Sequence, residues 1–339
     1  MLPRLFIGGT GRSGTTILYK ALGAHRDIYA LPWEMRFIVD PDGLMTLIDS
    51  LTGSYSPPRA GEALYRFERL MRVYLTTPKR GPYPYSDFNN WLGGSFYWQQ
   101  VDRFISQLVE VEFEGSSWVI RPDYEGRLVT FAKWLQGTRQ RIQGEPVVPF
   151  ELDFPRQPMK TVKYFSDRQQ LVALAAGLVE SLFMNVAQEN GKQTWCEKTP
   201  QNVFHIPFLW ELFPKSRFLH IKRDPRGVVQ SLTRQIWAPS NIHDAAVYLR
   251  HMFDRWFDVK TAVGDNDRYY ELKLEDLAES TDDKLAEIAA FCGLSVDFVD
   301  APTIQPERVN YWRESMTAAE IGTVNDVLGA YIERMGYAI

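Results

Sequence analysis

Apolar residues fall along this chain in two patterns. Short unbroken runs bounded by turn residues, at 5–7 and 218–221, read as strands buried on both faces; longer stretches with an apolar side chain every three or four positions read as helices. Glycines follow the first run, and then Ile17, Leu18 and Leu22 predict a helix over 14–22. Leu171, Leu174, Leu178, Leu182 and Val186 form the longest stripe. Ser166 to Gln169 reads as the capping box that opens it and Gly191 as its stop. Val228, Val229 and Leu232 follow Asp224-Pro225, with proline suited to a first helical turn. Further helices are expected over 102–112, 244–263 and 284–291, and from a second capping box at Thr317 to Glu320 as far as residue 335. A short strand ending in a charged turn is expected within 194–200, and another strand over 269–273. Strands alternating with helices predict an α/β fold with a central parallel sheet and helices on both faces.

Two regions break this rhythm. Residues 41–100 look irregular and are rich in Pro, Gly and aromatic residues, and 143–163 look extended or looped. Between 80 and 98 the chain carries Tyr83, Tyr85, Phe88, Trp91, Phe96, Tyr97 and Trp98, which either line a pocket or build core. The chain is read as one domain over 1–339, with 41–165 as an insertion over an acceptor site.

Chemistry enters with residues 8–16, Gly-Gly-Thr-Gly-Arg-Ser-Gly-Thr-Thr, lying between the first strand and the first helix. A glycine-rich turn there aims backbone N–H groups at one point, and the helix N-terminus adds partial positive charge, so the loop suits a phosphate. A nucleotide-hydrolase loop carries Lys before Ser or Thr; with Gly9 and Gly14 as the two glycines, Thr15 occupies that place, and the loop's cation is Arg12. The second strand run ends at Arg223, with Asp224-Pro225 after it and Ser231 two helical turns on. An arginine fork and a hydroxyl at the C-terminal end of a parallel strand suit a second phosphate, where otherwise the Arg-Asp-Pro-Arg turn is a surface ion pair.

Gly11-Arg12-Ser13-Gly14-Thr15-Thr16 together with Arg223, Pro225 and Ser231 resemble the two phosphate motifs of the sulfotransferase family, in the family's order. An arginine in the loop resembles the carbohydrate and tyrosylprotein branches more than the small-phenol branch. The resemblance covers 4–40 and 194–339. It implies a P-loop-like fold and the donor 3′-phosphoadenosine-5′-phosphosulfate (PAPS), a molecule with phosphate at both ends of its ribose, and it implies no metal. The string Glu197-Lys198-Thr199-Pro200 resembles the family segment whose lysine contacts the transferring sulfuryl group, which makes Lys198 the matching residue; otherwise Lys198 is a surface lysine paired with Glu197. Glu34 and Arg36 resemble the Glu-x-Arg string of the tyrosylprotein branch, with one extra residue before it, and its Glu is regarded as the base. His205 is the second candidate base. A basic loop near the C-terminus closes over the nucleotide in the family; here Arg308 or Arg313 fills that role, and Trp312 is placed to stack on adenine.

Composition narrows partners. A net charge of −4 argues against a general nucleic-acid binder. Two cysteines, Cys196 and Cys292, make no disulfide framework, and the N-terminal residues carry no signal peptide, so a soluble cytoplasmic protein with no membrane span is expected. The expected activity is sulfuryl transfer to a hydroxyl or amine of a small molecule, glycan or peptide. The alternatives are an ATP-dependent small-molecule kinase and a non-catalytic nucleotide-binding protein.

Overall fold

Five short strands, β1 (Leu5–Gly8), β2 (Ile28–Ala30), β5 (Thr194–Lys198), β6 (Arg217–Lys222) and β7 (Tyr269–Lys273), form one sheet in the order β2-β5-β1-β6-β7, and every pair is parallel. The structure is a computed structural model, and residues 2–76, 88–115 and 157–339 are described. β1 is fully buried, as a strand covered by helices on both faces must be. Its side chains divide between two cores. Phe6 joins Trp195 and Phe218 on one face, and Leu5 and Ile7 join Cys196, Leu219 and Ile221 on the other.

Helices α1 (Thr15–Gly23), α2 (Leu44–Leu51), α3 (Pro57–Thr76), α4 (Gly94–Leu108), α5 (Arg168–Glu189), α6 (Ile206–Leu212), α7 (Pro225–Leu232) and α8 (Ile242–Val263) follow in chain order. After β7 come α9 (Leu274–Glu279), α10 (Thr281–Cys292), the short turns α11 (Pro306–Val309) and α12 (Trp312–Ser315), and α13 (Ala318–Arg334). Helices α1, α9 and α10 cover the Leu5 face, while α5 to α8 and α13 contribute to the Phe6 face.

Several expectations are corrected. Residues 44–76 are largely helical, not irregular. Leu44, Leu47, Ile48 and Leu51 give α2 its buried stripe, and Ala60, Leu64, Phe67 and Met71 give α3 its own. Pro57 and Pro58 lie in the first turn of α3, where proline loses no hydrogen bond. The helix expected over 102–112 starts earlier, at Gly94, and gives way to strand β3 (Val109–Gly115), which pairs antiparallel with β4 (Gln157–Val162). The rest of the expected loop, 143–156, lies outside the described residues, as do Tyr83 and Tyr85. Within the aromatic stretch, Phe88 and Tyr97 are fully buried core.

Helix α5 starts one residue later than its expected capping box. Asp167, not Ser166, caps it by accepting from the Gln169 N–H at 2.9 Å. The second box forms as expected between Thr317 and Glu320. By length and composition α5 is apolar enough to cross a membrane, against the expectation that no segment is; half of its apolar window is buried in the protein core.

Trp195 sets the tightest part of the Phe6 face. Its ring lies edge-on to Phe6, Phe183 and Phe213, with centroids 5.4, 5.2 and 5.3 Å away, and its Nε1–H donates to Glu180 at 3.2 Å. Removing it leaves a cavity and takes one donor from the carboxylate that also pairs with Arg4. Trp195→Ala is expected to lower stability by about 3–5 kcal/mol, measured by urea denaturation; a loss under about 1 kcal/mol would show that the neighbouring rings do not depend on it.

Candidate active site

The loop after β1 takes its shape from backbone conformations that glycine favours. Gly11, Arg12 and Gly14 have φ of 78°, 55° and 106°. Such left-handed positions turn successive N–H groups inward, and Gly14 leads into α1 without any side-chain cap; the Ile17 N–H donates to the Gly14 carbonyl at 2.9 Å, which leaves the Thr15 and Thr16 N–H groups for an anion. At Gly14 a larger residue would be opposed both by this φ and by Leu274, whose Cδ1 lies 2.8 Å from where a Cβ would stand. The loop is tied to the end of β5 by the Gly9 N–H, which donates to the Pro200 carbonyl at 3.0 Å. Ser13 Oγ is buried there without a partner among the described residues.

The two phosphate motifs meet. Arg12 Nε donates to Ser231 Oγ at 2.9 Å. Arg223, at the end of β6, gives one guanidinium N–H to the Val309 carbonyl at 2.6 Å, and its Nε is buried without a partner among the described residues. Burial pulls the Arg223 pKa below the ordinary arginine value; Glu275 and Asp224 oppose the shift and Arg12 adds to it. Gly227 makes room for this side chain: a Cβ there would stand 2.9 Å from Arg223 Nε and 2.9 Å from Trp312 Cδ1. Asp224 caps α7 by accepting from the Arg226 N–H and also grips the Arg226 guanidinium. A cleft of about 390 Å³ opens beside Arg223, lined by Ile17, Lys20, Leu274, Ile304 and Arg308 among others.

The third motif contributes an ion pair. Lys198 Nζ donates to Glu34 Oε1 at 2.8 Å; the lysine is 13% exposed and the glutamate 32%. The sequence alternative of Lys198 paired with Glu197 is therefore corrected. Glu197 turns into the protein, and burial pushes its carboxyl up to about 7, against the pull of the Thr199 hydroxyl, the Met35 N–H and the Asn202 amide. Arg36 does not join Glu34 and pairs with Asp40 at 2.5 Å.

The remaining candidates separate. His205 stands half-buried between a short turn (Pro200–Phe204) and α6. Burial and Arg255 hold its pKa below the usual histidine value, and it is Glu34, not His205, that meets Lys198. Thr15 is buried and Thr16 exposed. Arg308 lines the cleft, and Arg313 is exposed. Trp312 is only 2% exposed, with the Arg226 guanidinium 4.4 Å and the Arg313 guanidinium 4.7 Å from its ring. It is a wall of the core here and offers no free face to adenine, which corrects that expectation. Glu197, Asn202 and Gly227 were not singled out as site residues from the sequence, where Glu197 entered only as a pairing partner for Lys198. A carboxylate directly after the apolar pair Trp195-Cys196 was the available signal for the first.

Comparison with known proteins gives the family. The profile of the sulfotransferase family matches residues 100–298. Among characterised proteins, the omega-hydroxy-beta-dihydromenaquinone-9 sulfotransferases Stf3 of Mycobacterium bovis and Mycobacterium tuberculosis are each 26% identical over 215 residues, covering 58% of this chain. The match covers 55% of each, so the chain spans about half the length of these relatives. Among solved structures, the sulfotransferase domain of the Synechococcus PCC 7002 olefin synthase aligns with TM-score 0.49 and 18% identity over 99% of this chain and 95% of its own. Sulfotransferase STF9 of Mycobacterium avium aligns with TM-score 0.43 and 14% identity over 100% of this chain and 78% of its own. With its family profile matched across more than half its length, the chain belongs to the sulfotransferase family.

Proposed function

We propose that this protein transfers a sulfuryl group from PAPS to a hydroxyl, or an amine, of an acceptor molecule. The observation that carries the reading is the hydrogen bond between Arg12 and Ser231, which joins the two turns that would each hold a phosphate. Orphaned polar atoms support the fit: Ser13 Oγ and Arg223 Nε are buried donors without a partner among the described residues, and buried donors are normally satisfied. The loop N–H groups and Arg12 would hold the 5′-phosphate, and Arg223 with Ser231 the 3′-phosphate. The cleft beside Arg223, walled by Ile17, Leu274 and Ile304, would take the nucleoside, with Arg308 at its edge.

When bound, the donor supplies a sulfuryl group already activated on a phosphate leaving group. The chain's own residues then divide the work. Lys198 brings an ammonium to the oxygen on which charge grows, alongside Arg12 and the loop amides. Glu34 receives the proton of the acceptor oxygen. Positioning and charge stabilisation carry such a transfer, without a covalent intermediate on the enzyme. Cys196, buried and with its thiol pushed well up by desolvation, is unsuited to a nucleophilic role.

The acceptor side is expected to be aromatic. Trp33, next to Glu34, packs on Phe88 and Trp91 with centroids 6.1 and 5.5 Å away, so the insertion 41–165 backs the proposed base. The names of the Stf3 relatives describe a hydroxylated menaquinone as substrate, which favours a hydroxyl on an apolar body over an amine.

Titration calorimetry should show 3′-phosphoadenosine 5′-phosphate binding, and binding more tightly than ATP; tighter ATP binding would end the reading. Arg223→Ala is expected to weaken that affinity by about 10- to 100-fold, the loss of a charge-assisted hydrogen bond.

Radiolabelled donor offered to a panel of phenols, hydroxylated lipids, glycans and tyrosyl peptides should label at least one class. On that acceptor Lys198→Ala is expected to lower kcat by about 10²- to 10³-fold and Glu34→Gln by about 10²- to 10⁴-fold, both with nucleotide affinity retained. Full turnover in Glu34→Gln would move the base elsewhere.

A further inference from the structure

We infer that Glu197 is a positioning residue whose buried carboxylate anchors the Met35 N–H and so holds Glu34 against Lys198. The inference rests on the reading of Glu34 and Lys198 as the reacting pair. Glu197 is 1% exposed and stands on β5 beside Trp195 and Cys196, both fully buried. A carboxylate at such a site is expensive in stability, and an apolar residue of the same volume would serve the core as well or better. Its value lies in what it holds.

Its two oxygens are shared among three donors. One accepts the Met35 N–H at 2.9 Å and the Thr199 hydroxyl at 2.6 Å; the other accepts the Asn202 amide. Asn202 also reaches the Ile7 carbonyl at 3.4 Å, near the end of β1. One carboxylate therefore ties together the segment carrying Glu34, the turn after Lys198 and the strand that feeds the phosphate loop. The segment is laced to β5 at both ends, because the Leu31 N–H donates to the Cys196 carbonyl at 3.0 Å. Glu34 lies between the two ties, directly before the residue whose N–H is held. Without the second tie, the only hydrogen bond left among the described residues between this stretch and β5 after Leu31 is that of Glu34 with Lys198 itself, and the backbone no longer dictates the position of Glu34.

Two variants separate anchoring from plain packing. Glu197→Met keeps volume and removes both acceptors; Glu197→Gln keeps an acceptor for the Met35 N–H, and Asn202 can turn its amide to match. With the best acceptor of the panel, Glu197→Met is expected to lower kcat by about 10²-fold, the scale of a misplaced catalytic group. Its dissociation constant for 3′-phosphoadenosine 5′-phosphate should stay within about twofold of wild type, because the anchor touches no nucleotide-binding residue. Glu197→Gln should recover most of that turnover. Crystal structures should show the hydrogen bond between Glu34 and Lys198 broken in Glu197→Met and intact in Glu197→Gln. Wild-type turnover in Glu197→Met overturns the inference, as does an equal fall of turnover, nucleotide affinity and melting temperature in both variants.

If wild-type protein labels no acceptor, the functional reading fails by itself, and the anchor is judged on geometry: an unchanged hydrogen bond between Glu34 and Lys198 in Glu197→Met overturns it. If Glu197→Met does not fold, hydrogen exchange of the wild-type Met35 amide decides. Protection equal to that of the β5 amides is expected, and fast exchange overturns the anchor.

Discussion

Parallel pairing of β1 with β5 and with β6 is the constraint under which the rest of the site exists. Ile7 lies opposite Lys198, and Gly8 opposite His220. Because all three strands run the same way, their C-terminal ends share one edge, and the residues that leave them (the glycine loop, Lys198 and Arg223) emerge side by side. A strand rises about 3.3 Å per residue, so a slip of two residues, the smallest that keeps the same faces buried, would move Lys198 by about 7 Å. A hydrogen bond of 2.8 Å to Glu34 does not survive that. The alternation of Phe6 against Leu5 and Ile7 between the two cores forbids the smaller slip of one residue, and the fit of Trp195 among its rings opposes the larger, so apolar packing far below the edge sets the geometry of the charges upon it.

The charges at this edge are managed in two ways. Some are fully paired: Asp224 grips Arg226, and Glu271, which burial would raise, is held well below the usual carboxylate range by His220 and Lys222. These pairs fix the backbone where β6 ends and α7 begins. Others are left with capacity. Arg12 donates to a neutral hydroxyl, and Arg223 spends one N–H on a carbonyl while its Nε has no partner among the described residues. Overall charge is negative, so the proposed attraction for an anion is local, built from two arginines, a helix N-terminus and loop amides.

Features that depend on local backbone chemistry were legible in the sequence. The glycines before α1, the Asp-Pro start of α7 and the Thr317 capping box each express a conformational need of a few residues, and each is found where expected. Features that depend on distant partners were not. Pro57-Pro58 reads as a break until the helix after it is seen, and the β3–β4 pair joins segments more than forty positions apart. Trp312 and Arg308 look alike as members of one basic aromatic loop, yet one is core and the other lines the cleft, because exposure is decided by what packs around the loop. Glu197 and Glu34 show the same limit. Lys198 has an acidic neighbour in the sequence, but at the strand's end that neighbour turns inward and the partner comes from residue 34.

Arg12 is a non-glycine residue held at a φ of 55°. The left-handed region costs such a residue about 1 kcal/mol or more, which glycine would avoid. Nearby positions Gly11 and Gly14 do use glycine. The loop therefore tolerates backbone strain at a position whose side chain spans to Ser231 on α7, 2.9 Å away. A loop that only needed to turn would have glycine there; a loop that brings a cation to both of the proposed anion pockets does not have that choice.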